Sequence, residues 1–397
     1  MSQQILESIS PFVAGVPPVS SIVRKPDIEE LVKRFGANST SYVLLEGKKQ
    51  YYTSSRVEGF IAYQLSAGVI VVGGDPVCEP NDAPVLIADF LAAMKSRQVC
   101  AYQVSPEMLQ AFRANGFGDV QIGKEAVFDL KQFSLAGGAM ELVRAATNKA
   151  RREDVVVVEH DPFATGAAQV NSEIEAVSAE WLVEKGNREM GFLLGGLDLH
   201  KRTDKRYFIA RSGNGLGRIE GFIVCEPIFA RRGYYLDVTR RRMDAVRGTM
   251  ELLTAEIFSR LGSEGYEIAS MGLAPLANLD DPDLSNHPTL AGLMRFIYER
   301  VSRTYDFKQL YRYKAKYHPH AWESRYLCFR PRVTSRILYA TLNVRDAFSL
   351  RETLGNHVSA VQNRGRHDVS NFWSGLKLWF YAASLIFGIF CAVLLNS

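Results

Sequence analysis

The 397-residue sequence is 47% hydrophobic and 23% charged, with 47 Lys and Arg against 43 Asp and Glu. This composition excludes a disordered or acidic solvating chain and suits a globular protein of two or three domains. A formal charge of +4 does not define a nucleic-acid binder, so any such role must come from local clusters.

Residues 1–20 read as an N-terminal arm, with Pro and Gly but no periodicity. The spacing then predicts a short helix over Pro26–Phe35 and β-rich runs at Tyr42–Leu45, Gly59–Tyr63 and Val69–Val72. Asn81–Arg97 reads as a helix with Pro84 in its first turn. Val99–Val104 is a predicted strand, Pro106–Asn115 a helix, Ala126–Leu130 a strand and Gly138–Arg152 a helix. The last ends in Lys149, Arg151 and Arg152, cations that suit the negative end of the helix dipole.

A similar order recurs. Val155–Glu159 reads as a strand and Ala167–Lys185 as a helix with Ile174, Val177, Trp181 and Leu182 on one face. Arg206–Arg211 and Arg218–Cys225 flank a turn, SGNGLG, that suits a hairpin. Tyr234–Val238 is a strand, Asp244–Leu261 a helix, Tyr266–Met271 a strand, and His287–Tyr305 holds a helix. The chain is thus α+β (α/β), with successive units at about 21–160 and 161–330.

Residues 331–371 form a basic juxtamembrane linker, and 372–397 a candidate transmembrane anchor. Leu378 to Leu395 contains no charged side chain, and a span needs about 20 apolar residues. Trp373 and Trp379 suit an interfacial belt, and the basic residues before the segment place the large N-terminal part in the cytoplasm. This predicts a single-pass anchor in a bacterial cytoplasmic membrane. The five cysteines fit no zinc or disulfide spacing, as expected in a reducing compartment.

Several residues could carry chemistry. Asp237 and Arg240 lie three apart at a strand end; the carboxylate could accept a proton or orient an amine, and the Arg could hold a phosphate or an oxyanion. A structural salt bridge is the plainer alternative. The following Thr239-Arg240-Arg241-Arg242-Met243 stretch reads as a turn before a helix, where backbone N–H groups can bind anions. It lacks the glycines that let a backbone approach a CoA pyrophosphate, while Arg241 and Arg242 could instead meet an RNA backbone. Lys201-Arg202, Lys205-Arg206 and Arg231-Arg232 are further basic clusters. Lys308, Arg312, Lys314 and Lys316 interleave with Tyr311, Tyr313 and Tyr317, a pattern suited to single-stranded RNA or to a solvated face. His318, His320 and Glu323 lack metal-site spacing, so no metal is expected. Nucleophile-elbow, P-loop and dinucleotide motifs are absent from the sequence.

Gly73-Gly74-Asp75-Pro76-Val77-Cys78-Glu79-Pro80, Gly123–Leu130, Phe133-Ser134-Leu135, Glu180-Trp181-Leu182, Met271–Leu276, Tyr311–Tyr317 and Trp322–Tyr326 occur in that order. Together they resemble the phosphatidylglycerol lysyltransferase C-terminal domain family (aminoacyl-phosphatidylglycerol synthase catalytic domain) over about residues 25–330. The resemblance implies tandem acetyltransferase-like (GNAT) domains and transfer of a lysyl or alanyl group from aminoacyl-tRNA to phosphatidylglycerol. It requires no cofactor. It maps the family's polar site onto Asp237 and Arg240, read as catalytic, and the Lys314/Lys316 pair, read as substrate-binding with the choice between the two lysines open; Arg241, Arg242, Tyr313, Trp322, Glu323 and Tyr326 are further substrate-binding candidates. Partners would be aminoacyl-tRNA, the anionic membrane and a separate flippase. An acyl-CoA-dependent N-acyltransferase and a non-catalytic membrane-tethered RNA- or lipid-binding protein are the rival readings.

Overall fold

The computed structural model describes residues 25–47, 49–95, 97–184, 195–275, 307–334 and five positions between 336 and 344. Seven helices are described: α1 Lys25–Phe35, α2 Ala83–Ala93, α3 Pro106–Ala114, α4 Glu141–Arg152, α5 Ala168–Glu184, α6 Thr249–Ser263 and α7 Phe307–Ala315. The strands are β1 Gln50–Thr53, β2 Gly59–Ser66, β3 Val69–Gly73, β4 Val77–Cys78, β5 Val99–Val104, β6 Gly118–Asp129, β7 Val156–His160, β8 Arg206–Arg211, β9 Ile219–Ile228, β10 Gly233–Arg241, β11 Ile268–Pro275 and β12 Ala321–Arg330. They make one mixed sheet in the order β1-β2-β3-β5-β12-β6-β11-β10-β9-β8-β7, with β4 paired to β2.

Each half repeats one plan. An antiparallel run, β1-β2-β3 or β7-β8-β9-β10, ends in a single parallel pair, β3/β5 or β10/β11. This is the mixed α/β, acetyltransferase-like arrangement. Between the parallel pairs lie β12 and β6, which are antiparallel to one another. The C-terminal half of β12 pairs with β5 and the C-terminal half of β6 with β11, so both halves share this ribbon. β6 and β12 are mostly buried, as strands covered on both faces must be.

Four apolar cores line the two faces of the sheet. In the second half, α4 and α6 cover one face over Phe128, Phe208, Leu236, Leu253 and Ile257. Helix α5 covers the other over Tyr207, Phe222, Val224 and Val238, with Ile174 and Val177 as its buried anchors. The periodic α6 positions Met250, Leu253, Ile257 and Leu261 are all buried, and Phe258 stacks on Phe128 at 4.8 Å. Burying such a side chain stabilises the fold by about 1.5–3 kcal/mol.

The structure departs from the sequence expectations at several elements. Val43–Leu45 is one turn of 3-10 helix, not a strand: its buried apolar run lies in a chain reversal, with Leu45 and Glu46 N–H groups bonded three residues back. The Asn81 helix stops at Ala93. The stretch Thr239-Arg240-Arg241 is strand rather than turn, because it stays paired to Gly221, Phe222 and Ile223 of β9; α6 starts later, at Thr249. Strands β4 and β12 and helix α7 were not foreseen. Among the described residues no helix is long and apolar enough to cross a membrane. The anchor at 372–397 and the helix at His287–Tyr305 lie outside the described residues.

Candidate active site

Strands β10 and β11 pair only through Gly233–Tyr235 and Ile268–Ser270. Beyond that point β10 follows β9 while β11 follows β6, and the two diverge. Both strands bulge at the divergence, β10 between Leu236 and Val238 and β11 between Ser270 and Leu273. A bulge inserts one residue and re-aims its neighbours. Residues three apart on a regular strand face opposite ways. The extra residue at Asp237 resets that alternation, and Asp237 and Arg240 both reach the α5 side. Asp237 Oδ2 accepts the Gly195 N–H at 2.6 Å, and Gly195 leads into Leu197 and Leu199, which pack in the α5 core. Arg240 is buried, donates to Ser178 Oγ of α5, and lies 5.4 Å from the Trp181 ring.

Around Asp237 gathers a buried charge cluster. Lys205 Nζ lies 2.5 Å from Glu46 Oε1, 3.1 Å from Glu226 Oε1 and 3.4 Å from Asp198 Oδ2, and donates to the Gly196 carbonyl at 2.7 Å. The side chains of Lys205 and Glu226 are 0% exposed. Glu46 comes from the first half and also accepts the Gly196 N–H at 2.8 Å. Tyr42, close by in sequence, accepts the Asp204 N–H through its hydroxyl. The site of the second half is therefore partly walled by the first.

Burial pushes the Asp237 carboxyl up to about 7, against the opposing pull of Lys205, the Tyr235 hydroxyl and the Gly195 N–H. Burial, then the charge of Asp237, drives Glu226 well above the usual carboxylate range. Two carboxylates crowding one desolvated space cannot both ionise readily, so the pair retains a proton near neutrality. Such a group can accept a proton from a hydroxyl and return it to a leaving oxygen. Desolvation opposes the charge on Lys205, but Glu226 and Glu46 outweigh it and hold the ammonium charged.

Lys314, on the last turn of α7, docks at the β11 bulge. Its Nζ donates to the Gly272 and Leu273 carbonyls, both at 2.8 Å. Burial lowers its ammonium to about 7, with Glu125 opposing. Gly272 has φ of +73°, and a Cβ there would lie 2.6 Å from the Tyr235 ring, so only glycine lets the strands approach here. Behind it runs a polar chain: Gly272 N–H to Ser270 Oγ, Ser270 to Glu125, Glu125 to Arg325, Arg325 to Glu323, and Glu323 to Arg231.

The remaining sequence-predicted residues scatter. Lys316 turns toward α6, 2.5 Å from Glu251 and 4.0 Å from the Tyr313 ring centre. Tyr313 packs beside the α6 core. Trp322 stacks on Tyr311 at 4.7 Å. Glu323 is held by the Arg231 and Arg325 guanidinium groups. Tyr326 is buried in the core of the first half and does not join the splay. Arg241 bends onto the Arg242 and Met243 carbonyls, and Arg242 bonds the Ile219 carbonyl and Glu180.

Two carboxylates cover the N–H groups ahead of α6. Glu180 accepts from Met243 N–H and Glu220 from Val246 N–H. The Met243 and Val246 N–H groups are therefore not open to an anion. Several members of the basic clusters are also engaged: Arg206 by Glu159 and Glu264, Arg231 by Glu323, and Lys205 by the cluster above. Among the described residues no group of three or more His, Cys, Asp or Glu is arranged to hold a metal.

Sequence reasoning missed Glu46, Asp198, Lys205 as a buried residue, Glu226 and Gly195. One signal was present: Glu226 interrupts the apolar run IEGFIVCEPI, every residue of which is buried in β9.

A mixed sheet with two parallel splays, one carrying a proton-retaining carboxylate pair and a buried guanidinium, is an acetyltransferase-like α/β fold. Within that class the chain is a member of the family described as "Phosphatidylglycerol lysyltransferase, C-terminal", which matches residues 29–329. The phosphatidylglycerol lysyltransferase of Bacillus subtilis is 31% identical over 318 residues, covering 78% of this chain and 36% of that protein. That of Staphylococcus aureus strain COL is 28% identical over 308 residues, 77% of this chain and 35% of that one. The chain thus spans about a third of the length of these relatives. The solved L-PGS of Bacillus licheniformis superposes with a TM-score of 0.67 and 26% identity, covering 81% of this chain and 96% of that one. The C-terminal domain of a putative lysylphosphatidylglycerol synthetase from Agrobacterium fabrum shares the fold, with a TM-score of 0.67, 24% identity and the same coverage.

Proposed function

We propose that this protein transfers a lysyl or alanyl group from aminoacyl-tRNA to the terminal glycerol hydroxyl of phosphatidylglycerol. The observation that carries this reading is Asp237 in a family member: a buried carboxyl near neutral, on one sheet face with Arg240, at the splay of the second half. The lipid hydroxyl attacks the ester carbonyl and its proton passes to Asp237. The new ester bond forms, the bond to the tRNA ribose oxygen breaks, and Asp237 returns the proton to that oxygen. Arg240 steadies the developing oxyanion or the lipid phosphate. Lys314 fixes the β11 bulge that faces the reacting groups. The ester is already activated, so orientation supplies much of the rate. The product carries less negative charge than its precursor, which weakens attraction of the membrane for cationic peptides.

Residues 372–397 then serve as a single-pass anchor at the bacterial cytoplasmic membrane, with the described part in the cytosol. The carboxylates on the Met243 and Val246 N–H groups, in the stretch that leads into α6, favour this reading over an acyl-CoA enzyme. The test is to mix the protein with tRNA charged with radiolabelled lysine or alanine and phosphatidylglycerol micelles, then count label in the lipid extract. RNase-sensitive label that is lost with Asp237→Asn supports the proposal; no transfer from either donor by folded protein overturns it.

A further inference from the structure

We propose that the end of the second half at which β10 and β11 part docks on a phospholipid bilayer, with Leu216, Met243 and Val183 entering its headgroup layer. The proposal rests on the transfer reading for the nature of the acceptor and deepens it by naming the face that meets the membrane.

Among the described residues, the large apolar side chains more than half exposed are Leu142 (79%), Val183 (72%), Leu216 (92%) and Met243 (55%). Three of the four gather at one end of the second half. Leu216 is at the tip of the hairpin that joins β8 and β9, Met243 follows β10, and Val183 lies in the last turn of α5. Polar contacts tie these three elements together. Arg218, two residues past Leu216, meets the Asp244 carboxylate at 3.0 Å. Glu180, one turn before Val183, accepts the Met243 N–H at 2.9 Å and pairs with Arg242 at 3.0 Å. The Asn214 N–H bonds the Asp154 carbonyl at 2.9 Å and braces the tip against the turn between α4 and β7. One exposed leucine needs no explanation. Three aliphatic side chains on separate elements, held side by side, form a surface.

The occupant follows from the company these side chains keep. Arg218 stands beside Leu216, Arg241 and Arg242 precede Met243, and Arg247 follows it, exposed. The carboxylates between them are engaged: Asp244 and Glu220 by Arg218, and Glu180 by Arg242. Arg241 donates to the Arg242 and Met243 carbonyls, neutral acceptors that leave its charge uncompensated. Aliphatic tips set among guanidinium groups match the headgroup layer, where phosphates meet the cations and the tips reach the acyl boundary. An RNA strand stacks its bases on aromatic rings, whereas the side chains exposed here are aliphatic. The position agrees with a bilayer. This rim frames the open end of the splay, from which a lipid enters without crossing the sheet. An anchor at 372–397 tethers the protein and leaves its orientation free; the rim sets the orientation.

The test uses the full chain with Cys391→Ser, which leaves the buried Cys78, Cys100, Cys225 and Cys328. An environment-sensitive fluorophore is attached through Leu216→Cys or, in a second protein, through Leu142→Cys. Leu142 is also well exposed but sits at the opposite end of α4, roughly 18 Å from the turn that braces the hairpin tip. With vesicles of equal parts phosphatidylglycerol and phosphatidylcholine, the label at 216 should shift to the blue. Depth-dependent quenching should place it about 5–10 Å into the boundary between headgroups and acyl chains. The label at 142 should stay in water. Leu216→Asp combined with Met243→Gln should raise KM for vesicle phosphatidylglycerol by about tenfold or more, while transfer to dispersed short-chain phosphatidylglycerol is unchanged. A label at 216 that stays in water in the presence of vesicles overturns the docking face. So does one shielded by tRNA without vesicles, which marks an RNA surface, or equal loss of transfer on both forms of lipid. If wild type transfers to neither form, the proposed reaction falls, and the two labels still decide the face.

Discussion

Arg325 and Glu125 meet at 2.7 Å in the middle of the sheet, each with its side chain 1% exposed. They meet diagonally across β6 and β12, the ribbon that both halves share, and Glu125 also accepts from Ser270 at the β11 bulge. Replacing Arg325 by Met should destabilise the protein by about 3–5 kcal/mol, because Glu125 is left buried without its counter-charge. The double replacement Arg325→Met with Glu125→Met should recover much of that loss. Equilibrium urea unfolding measures both.

Asp237→Asn should reduce transfer by about 10²–10⁴-fold, the usual contribution of a positioned proton acceptor. In wild type the rate should rise as pH climbs through about 7, where Asp237 loses its proton. Stability moves the other way at this group. The folded carboxyl holds its proton more tightly than the unfolded one, so stability falls between about pH 4 and 7 as pH rises. The Asn variant should therefore match or exceed wild-type stability at pH 8, with the difference shrinking toward pH 4 in thermal melts.

Lys314 contributes the opposite pH dependence of stability, which Lys314→Met should remove. The folded ammonium titrates near 7 against 10.5 unfolded, so wild type gains stability from this group as pH rises across that window. The variant should lose that gain, giving a flatter melting curve against pH. Its transfer rate should fall through displacement of the Gly272 and Leu273 carbonyls.

Gly272→Ala should cost about 1–3 kcal/mol, since φ of +73° is disfavoured for alanine and its Cβ would press on Tyr235. A drop in transfer larger than the fraction unfolded would place the Tyr235 contact in the active geometry. Single-turnover rates at saturating donor separate the two effects.

Removal of residues 372–397 should give a protein that no longer partitions with membranes yet still transfers in detergent. Membrane fractionation and the lipid-label assay check the two halves of that statement.

Most elements were legible because their signals are local. Arg206–Arg211 matches β8 end to end, and the α6 face follows from its 3.6-residue spacing. Boundaries slipped where tertiary pairing overrode local preference, as at Arg240, which β9 holds in strand form beyond the expected turn. Strand β12 was invisible for a related reason: burial on both faces erases the alternation that marks an edge strand. Of the site, Asp237 and Arg240 were visible as a spacing, but their shared face depends on a bulge that no residue pattern announced. Lys205 read as surface charge because its neighbours in sequence are basic, while its carboxylate partners lie as far away as Glu46.

The shared ribbon also constrains how the chain is made. Strand β5 at residues 99–104, paired on one side with β3, cannot acquire its second neighbour until β12, at 321–330, has been synthesised. Until then β5 and the N-terminal half of β6 stand as open edges, which are templates for association with other chains. Contacts of such sequence separation are slow to form. The nascent first half should therefore depend on chaperone protection at the ribosome until the last strand arrives, and premature termination anywhere before residue 321 should yield aggregates rather than a smaller folded domain.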